Sequence, residues 1–277
     1  MKVAFQGVRG AFSEAAIYQQ YGTKVETCGF DDFEAVFDAV IRGEMDAAMI
    51  PVENSIAGSV SRNYDFFLVK PVVAISEVYA PVRHCLLAKP GVSLEDITSV
   101  LSHPMALKQC ESYLREYDFK SVPEYDTAGA AKLVAESTEH HFAAIASHLA
   151  GEIYNLDILA EDIQTMNTNM TRFLVVATSE PEDIRREKTS IAFKTEHHPG
   201  ALEDCLHTLT RNQINLTKIQ SRPIPENPWE YVFYADFEGG ADQTNVSKAM
   251  TELKDEAKYL KVLGSYPMGD KGKPQSA

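Results

Sequence analysis

No apolar run in the 277 residues approaches the roughly 20 that a membrane-spanning helix needs, so no membrane partner is expected. A secretory leader would need a basic start, a long apolar stretch and a small-residue cleavage site. The N-terminus, MKVAFQG, instead goes directly into a strand-like pattern, and the expected compartment is the cytoplasm. Cationic side chains are few: 26 Lys and Arg stand against 40 Asp and Glu, a formal net charge of −14. A field of that sign argues against a nucleic-acid partner, but an anionic substrate needs only a locally positive pocket. Cysteines are sparse and scattered, at Cys28, Cys85, Cys110 and Cys205. With no C-x-x-C pair, a disulfide framework and structural zinc are not expected, and all four read as buried small hydrophobes. The full G-x-G-x-x-G of a dinucleotide site is missing, since only Gly7-x-x-Gly10 is present. His197-His198-Pro199 lacks a spaced acidic or cysteine partner, and adjacent histidines point apart. No metal and no cofactor are expected.

What is there fits a soluble globular protein of two domains, with 44% hydrophobic and 24% charged residues. Val3 to Phe5 reads as a short buried strand, followed by the Gly7–Gly10 loop and a helix from about Ser13. Phe33, Val36, Phe37, Val40 and Ile41 share one helical face, with Asp31 or Asp32 able to cap its start. Strand-like segments follow at 47–50, 72–78, 85–87, 100–101, 142–145 and 173–177. Pro104, Asp126 or Thr127, and Ser147 each open a helix. That alternation predicts an α/β domain with a mostly parallel sheet that can split into two lobes. A polar, proline-containing linker spans 178–188. Beyond it the order is strand 189–195, helix 200–211, strand 214–222, strand 230–238, helix 243–257 and strand 260–266, a ferredoxin-like βαββαβ arrangement. Residues 268–277 read as a disordered tail.

Polar residues gather where strands end, the edge at which open α/β sheets place ligands. Ser13 lies at a helix N-terminus, which attracts anions or needs only a cap. Glu53, Asn54 and Ser55 offer a carboxylate, an amide and a hydroxyl in a row, with a turn and a helix cap near Ser59 as the plainer reading. His103 and Thr127 occupy similar corners, His103 as either an acid-base group or a structural residue. The run from Asn167 to Phe173 leads into the last strand of the first domain. Arg172 is suited to hold a carboxylate by two parallel hydrogen bonds, and Thr171 could hydrogen-bond a leaving group. Residue chemistry alone reaches a two-domain α/β protein for a small anionic ligand.

Together these segments resemble the prephenate dehydratase family, in order and over nearly the whole chain. They are GVRGAFSE at 7–14, PVENS at 51–55 with Gly58, SHPMAL at 102–107, DTAGAA at 126–131, AAIAS at 143–147 and TRF at 171–173. The C-terminal part is similar to an ACT domain, the amino-acid-binding βαββαβ module, through Gly200-Ala201-Leu202 and Gln220-Ser221-Arg222-Pro223. Gln220 stands where that segment usually has glutamate, and Ala11 and Thr165 also depart from common family wording. RNYD at 62–65 and VRHCL at 82–86 look like plant-type relatives that prefer arogenate, the aminated form of prephenate.

The resemblance implies a periplasmic-binding-protein-like catalytic domain over 1–182, with lobes of about 1–78 plus 160–182 and 79–159, then an ACT domain over 189–267. It implies a carbon–oxygen lyase that converts prephenate to phenylpyruvate in L-phenylalanine biosynthesis. The alternatives are arogenate as substrate or, more remotely, a non-catalytic amino-acid sensor. Thr171 would assist the departing hydroxyl, helped by Glu53 if burial raises its pKa, and Arg172 would bind a carboxylate or fix the loop. Ser13, Asn54, Ser55, Thr127, Phe173 and His103 would line the substrate pocket. L-Phenylalanine would bind as effector at Gly200, Ala201, Leu202, Asn215, Leu216, Ser221 and Arg222, at the interface of a homodimer or homotetramer.

Overall fold

The computed structural model describes residues 1–224 and 227–271. It divides into two compact units: residues 1–59, 79–173 and 271 form the first, and 60–78 with 174–270 the second. The expected tail over 268–277 falls in part on 272–277, outside the described residues.

The first unit opens with β1 (Lys2–Gln6), α1 (Phe12–Tyr21), β2 (Glu26–Phe30), α2 (Phe33–Ile41), β3 (Ala47–Asn54) and β4 (Gly58–Ser59). Asp32 caps α2 by accepting from Ala35 N at 2.8 Å. Val36, Phe37 and Val40 bury the face that the 3.6-residue period marks, while Phe33 and Ile41 are half-buried at its ends. The helix at 12–21 begins with Ala11 as N-cap and no side-chain cap, so Ser13 sits inside the first turn and does not cap it. The sheet order is β2-β1-β3-β11-β5, with β5 (Val73–Pro81) and β11 (Met170–Ala177), and β4 pairs with β3 off that path. The unit boundary falls within β5 and β11.

The second sheet uses β6 (Cys85–Ala88), β7 (Ser99–Ser102), β8 (Lys120–Pro123), β9 (Phe142–Ala146) and β10 (Asp157–Ala160), in the order β10-β6-β9-β7-β8. It is mixed: β7 pairs parallel with β8 and β9, but β6 pairs antiparallel with both β9 and β10. Its central strands β6 and β9 read as unbroken apolar runs because both faces are covered. Cys85, Leu87, Leu101, Ala144 and Ala146 pack on one side, and Leu86, Ala88, Val100, Ala143 and Ile145 on the other. Between the strands run α4 (Pro104–Gln109), α5 (Glu111–Glu116), α6 (Thr127–Glu136) and α7 (His148–Tyr154). Asp126 caps α6 and Ser147 caps α7. Cys85 and Cys110 are buried, but Cys28 is only half-buried, because β2 is the edge strand of the first sheet.

The second unit holds α3 (Ser61–Val69), β12 (Lys188–Thr195), α8 (Ala201–Arg211), β13 (Leu216–Ile224), β14 (Asn227–Glu238), α9 (Thr244–Glu256) and β15 (Ala257–Tyr266). The strand order β13-β14-β12-β15 is antiparallel throughout and gives the βαββαβ module expected of an ACT domain. Val246, Ala249 and Leu253 of α9 meet Cys205 and Leu209 of α8 over Ile191, Phe193 and Phe237 of the sheet. α3 packs in this unit through polar contacts to β13. Arg222 pairs with Asp65 at 2.6 Å, and Gln220 Nε2 donates to Ser61 Oγ at 2.8 Å. That second contact is a neutral hydrogen bond, so Gln220 holds α3 without the charge of the usual glutamate. Lys188 and Glu77 form a buried ion pair at 2.5 Å, with side chains 4% and 0% exposed.

Candidate active site

Asn54 ends β3 and folds its side chain back into a turn. Its Oδ1 accepts from Ile56 N at 3.0 Å and from Ala57 N at 2.8 Å. Backbone N–H groups can only donate, so the amide has one permitted orientation. Its Nδ2 therefore faces the start of β11, where it lies 2.8 Å from Asn169 Oδ1, 3.2 Å from Met170 O and 3.0 Å from Thr171 Oγ1. Ser55 fastens the same junction: its Oγ donates to Thr168 O and accepts from Met170 N, both at 2.9 Å. The PVENS and TRF segments, more than a hundred residues apart in sequence, thus become one corner.

Thr171 is 9% exposed and Arg172 4%. Because Asn54 Nδ2 can only donate to Thr171 Oγ1, the Thr171 hydroxyl proton must point elsewhere. That leaves a hydroxyl that is polarised by a donor and free to donate in turn. Arg172 lies 3.8 Å from the Glu53 carboxylate. This buried arginine faces a protein carboxylate and ties the β3 and β11 ends together. The assisting role expected of Glu53 required burial, but its side chain is 40% exposed and ion-paired. Phe173, the next residue of β11, is 2% exposed.

Sequence reasoning gave no role to three residues that join this cluster. Asn169 Nδ2 donates to Gln109 Oε1 at 3.1 Å, and Gln109 Oε1 lies 2.8 Å from His84 Nε2. Gln109 is the last residue of α4, and it lines a cavity of about 470 Å³ with Ile56, Met105, Lys108, Gln164 and Met166. His84 sits between β5 and β6 and is 2% exposed. Burial pushes its imidazole below the ordinary histidine pKa, against the opposing effect of its hydrogen bond to Gln109. The faint signals were the VRHCL wording around His84 and the NTN run at 167–169. Neither places the residues near each other, because the contacts join separate elements.

The other expected pocket residues occupy different corners. His103 is exposed and caps α4, its Nδ1 accepting from Met105 N at 3.2 Å, which is the structural reading of that residue. Ser13 and Thr127 are half-buried in the first turns of α1 and α6. The loop before Ser13 is held by Glu14, a fully buried carboxylate that accepts from Gly10 N at 2.6 Å, Thr27 Oγ1 at 2.7 Å and Tyr18 at 3.0 Å. Gly10 has φ +88°, and a Cβ there would lie 2.8 Å from Ala150 Cα. Glycine lets the loop meet α7 at that point, and Ser147 Oγ donates to Gly10 O at 2.6 Å. Among the described residues no group of three or more His, Cys, Asp or Glu could hold a metal ion.

In the second unit an open groove of about 620 Å³ is lined by Gly200, Ala201, Leu202, His197, Leu206 and His207, among others. Asn215 precedes β13, and Leu216 opens it beside Phe237. Ser221 pairs with Phe233, and Arg222 is engaged with Asp65. Of the expected effector residues, the groove therefore gathers Gly200 to Leu202.

The profile of the prephenate dehydratase family matches residues 3–181. The chain is 43% identical to arogenate dehydratase/prephenate dehydratase 2, chloroplastic, of Arabidopsis thaliana, over 97% of this chain and 73% of that one. It superposes with TM-score 0.89 on the crystal structure of prephenate dehydratase in complex with L-Phe from Arthrobacter aurescens, at 32% identity over 100% of this chain and 92% of that one. A solved structure described as GqqA, a novel type of quorum quenching acylase, also superposes with TM-score 0.89, at 30% identity over 97% and 98% of the two chains.

Proposed function

The chain belongs to the prephenate dehydratase family, and we infer that its Thr171 corner drives the decarboxylating dehydration of prephenate to phenylpyruvate, a step of L-phenylalanine biosynthesis. The ring hydroxyl leaves with its C–O bonding pair and takes up one proton to become water. The ring carboxylate leaves as carbon dioxide, and its C–C pair completes the aromatic ring. Aromatisation supplies the driving force, so the protein's task is to orient the ring and assist the departing hydroxyl.

The polarity of the Asn54–Thr171 contact carries this reading. Asn54 donates to Thr171 Oγ1 at 3.0 Å, which leaves the hydroxyl proton to hydrogen-bond the departing oxygen, while the net proton that makes it water comes from solvent. Arg172 acts by holding the Glu53 and Thr171 segments together, and Asn54, Ser55 and Phe173 shape the corner. Arogenate, with an ammonium in place of the keto group, is the second reading, favoured by the double name of the Arabidopsis relative. The site's demand for a leaving hydroxyl is the same in both.

The groove at Gly200, Ala201 and Leu202 is proposed to take L-phenylalanine as effector, in a homodimer or homotetramer. No described helix is long and apolar enough to cross a membrane. A cytoplasmic location belongs to the proposal, beside a plant relative named as chloroplastic.

The test is turnover of both substrates by the purified protein and by Thr171→Val and Thr171→Ser, with and without L-phenylalanine. Thr171→Val loses roughly 10²-fold or more in kcat, and Thr171→Ser retains most of it. Near-normal turnover by a folded Thr171→Val enzyme overturns the assignment, and absence of turnover in the unaltered protein favours a non-catalytic sensor.

A further inference from the structure

We propose that His84 is a positioning residue of this site, whose Nε2–H pins the Gln109 end of a chain of amides that ends on the Thr171 hydroxyl. The inference rests on the dehydratase reading for its kinetic consequence, but not for its geometry.

The chain has a single permitted direction, set at its far end by backbone. Ile56 N and Ala57 N hold Asn54 Oδ1, so Asn54 presents Nδ2 to Asn169. Asn169 must answer with Oδ1 and turns its own Nδ2 to Gln109. Gln109 must answer with Oε1, the same atom that lies 2.8 Å from His84 Nε2. Two donors converging on one oxygen require Nε2 of His84 to carry a proton. The neutral imidazole therefore holds its proton on Nε2 and leaves Nδ1 bare. Nδ1 is buried and has no hydrogen-bond partner among the described residues, a position that offers the other tautomer nothing to donate to.

His84 itself cannot turn away. Its backbone N–H donates to Gln164 Oε1 at 2.7 Å, and its ring stands edge-on to Phe12, with centroids 5.4 Å apart and planes at 89°. With Oε1 committed to two donors, Gln109 keeps Nε2 as its remaining polar end for the 470 Å³ cavity it lines. Were the histidine donor lost, Gln109 could exchange its two ends. Asn169 would then meet an NH2 group and lose its acceptor, and the orientation of Asn54 against Thr171 would rest on the turn alone. The expected consequence is a slower chemical step with little change in substrate affinity, since His84 touches no reacting atom.

The experiment uses the full-length protein. His84→Phe keeps a ring against Phe12 and removes the donor. It should fold, with kcat lowered about 10- to 100-fold and KM within about twofold. In His84→Ala, added imidazole should restore kcat, whereas thiazole, of the same shape but with no N–H, should not. Nitrogen-15 NMR of the unaltered protein should show His84 as the neutral Nε2–H tautomer. That measurement needs no turnover and stands even if the variants fail to fold or the dehydratase reading fails. An Nδ1–H tautomer, unchanged kcat in folded His84→Phe, or equal rescue by thiazole would each overturn the proposal.

Discussion

Asn54 Nδ2 donates to Thr171 Oγ1 across 3.0 Å, a direction set by the two backbone N–H groups that Asn54 Oδ1 accepts. A carboxylate at position 54 can accept from those same N–H groups but cannot donate to Thr171. The threonine hydroxyl would then donate inward, and its proton would be lost to the leaving group. Asn54→Asp should retain the fold and lose roughly 10²-fold in kcat. Steady-state kinetics beside a thermal melt checks this, and unimpaired turnover would show that the direction of this bond does not matter.

Gly10 combines φ +88° with a Cβ position only 2.8 Å from Ala150 backbone. Alanine there must adopt a left-handed backbone and also displace α7. Gly10→Ala should destabilise the first unit by roughly 1–3 kcal/mol, read as a lower denaturant midpoint. Gly22→Ala, where nothing lies within 4 Å of the added Cβ, provides a control with a positive φ and no close contact.

The Lys188–Glu77 pair, 2.5 Å apart and almost fully buried, is costly to break from one side. Lys188→Met removes this counter-charge from Glu77 and should cost about 3–5 kcal/mol. Combining it with Glu77→Gln should recover much of the loss, because the buried charge is then removed as well. Chemical denaturation of the two single variants and the double variant measures the coupling.

Stability should fall as pH drops below about 6.5, the ordinary histidine value. Burial depresses the folded-state pKa of His84, so below that pH the unfolded chain binds the proton more readily than the folded one. The destabilisation grows as pH falls towards the depressed folded value and is absent above neutrality. Its packed partners Phe12, Gln109 and Gln164 carry no charge that would oppose this. Melting temperatures of the unaltered protein and His84→Phe between pH 5 and 8 should differ in slope on the acid side. Parallel slopes would count against a depressed value at His84.

Much was legible without coordinates. Periodicity placed α2 and α9, and the succession of segments gave the βαββαβ order, because amphipathic faces and short strands obey local geometry. Cap residues at Asp32, Asp126 and Ser147 marked helix starts, since a cap bonds within its own first turn. The antiparallel pairing of β6 was not legible, because strand direction depends on which neighbour a strand finds. Nor was the placement of α3 with the second unit, which rests on partners such as Arg222 and Gln220 far along the chain.

The sequence by itself determined the family and the order of the elements and marked Thr171, Asn54 and their neighbours as candidates, because motif order and local periodicity survive in a linear string. Only the tertiary structure decided what those residues do to one another. It turned Arg172 towards Glu53, made His103 a helix cap, and joined Thr171 through Asn54, Asn169 and Gln109 to His84. The reason is physical: the direction of a hydrogen bond depends on what both ends are already committed to. Those commitments are made between segments more than a hundred residues apart.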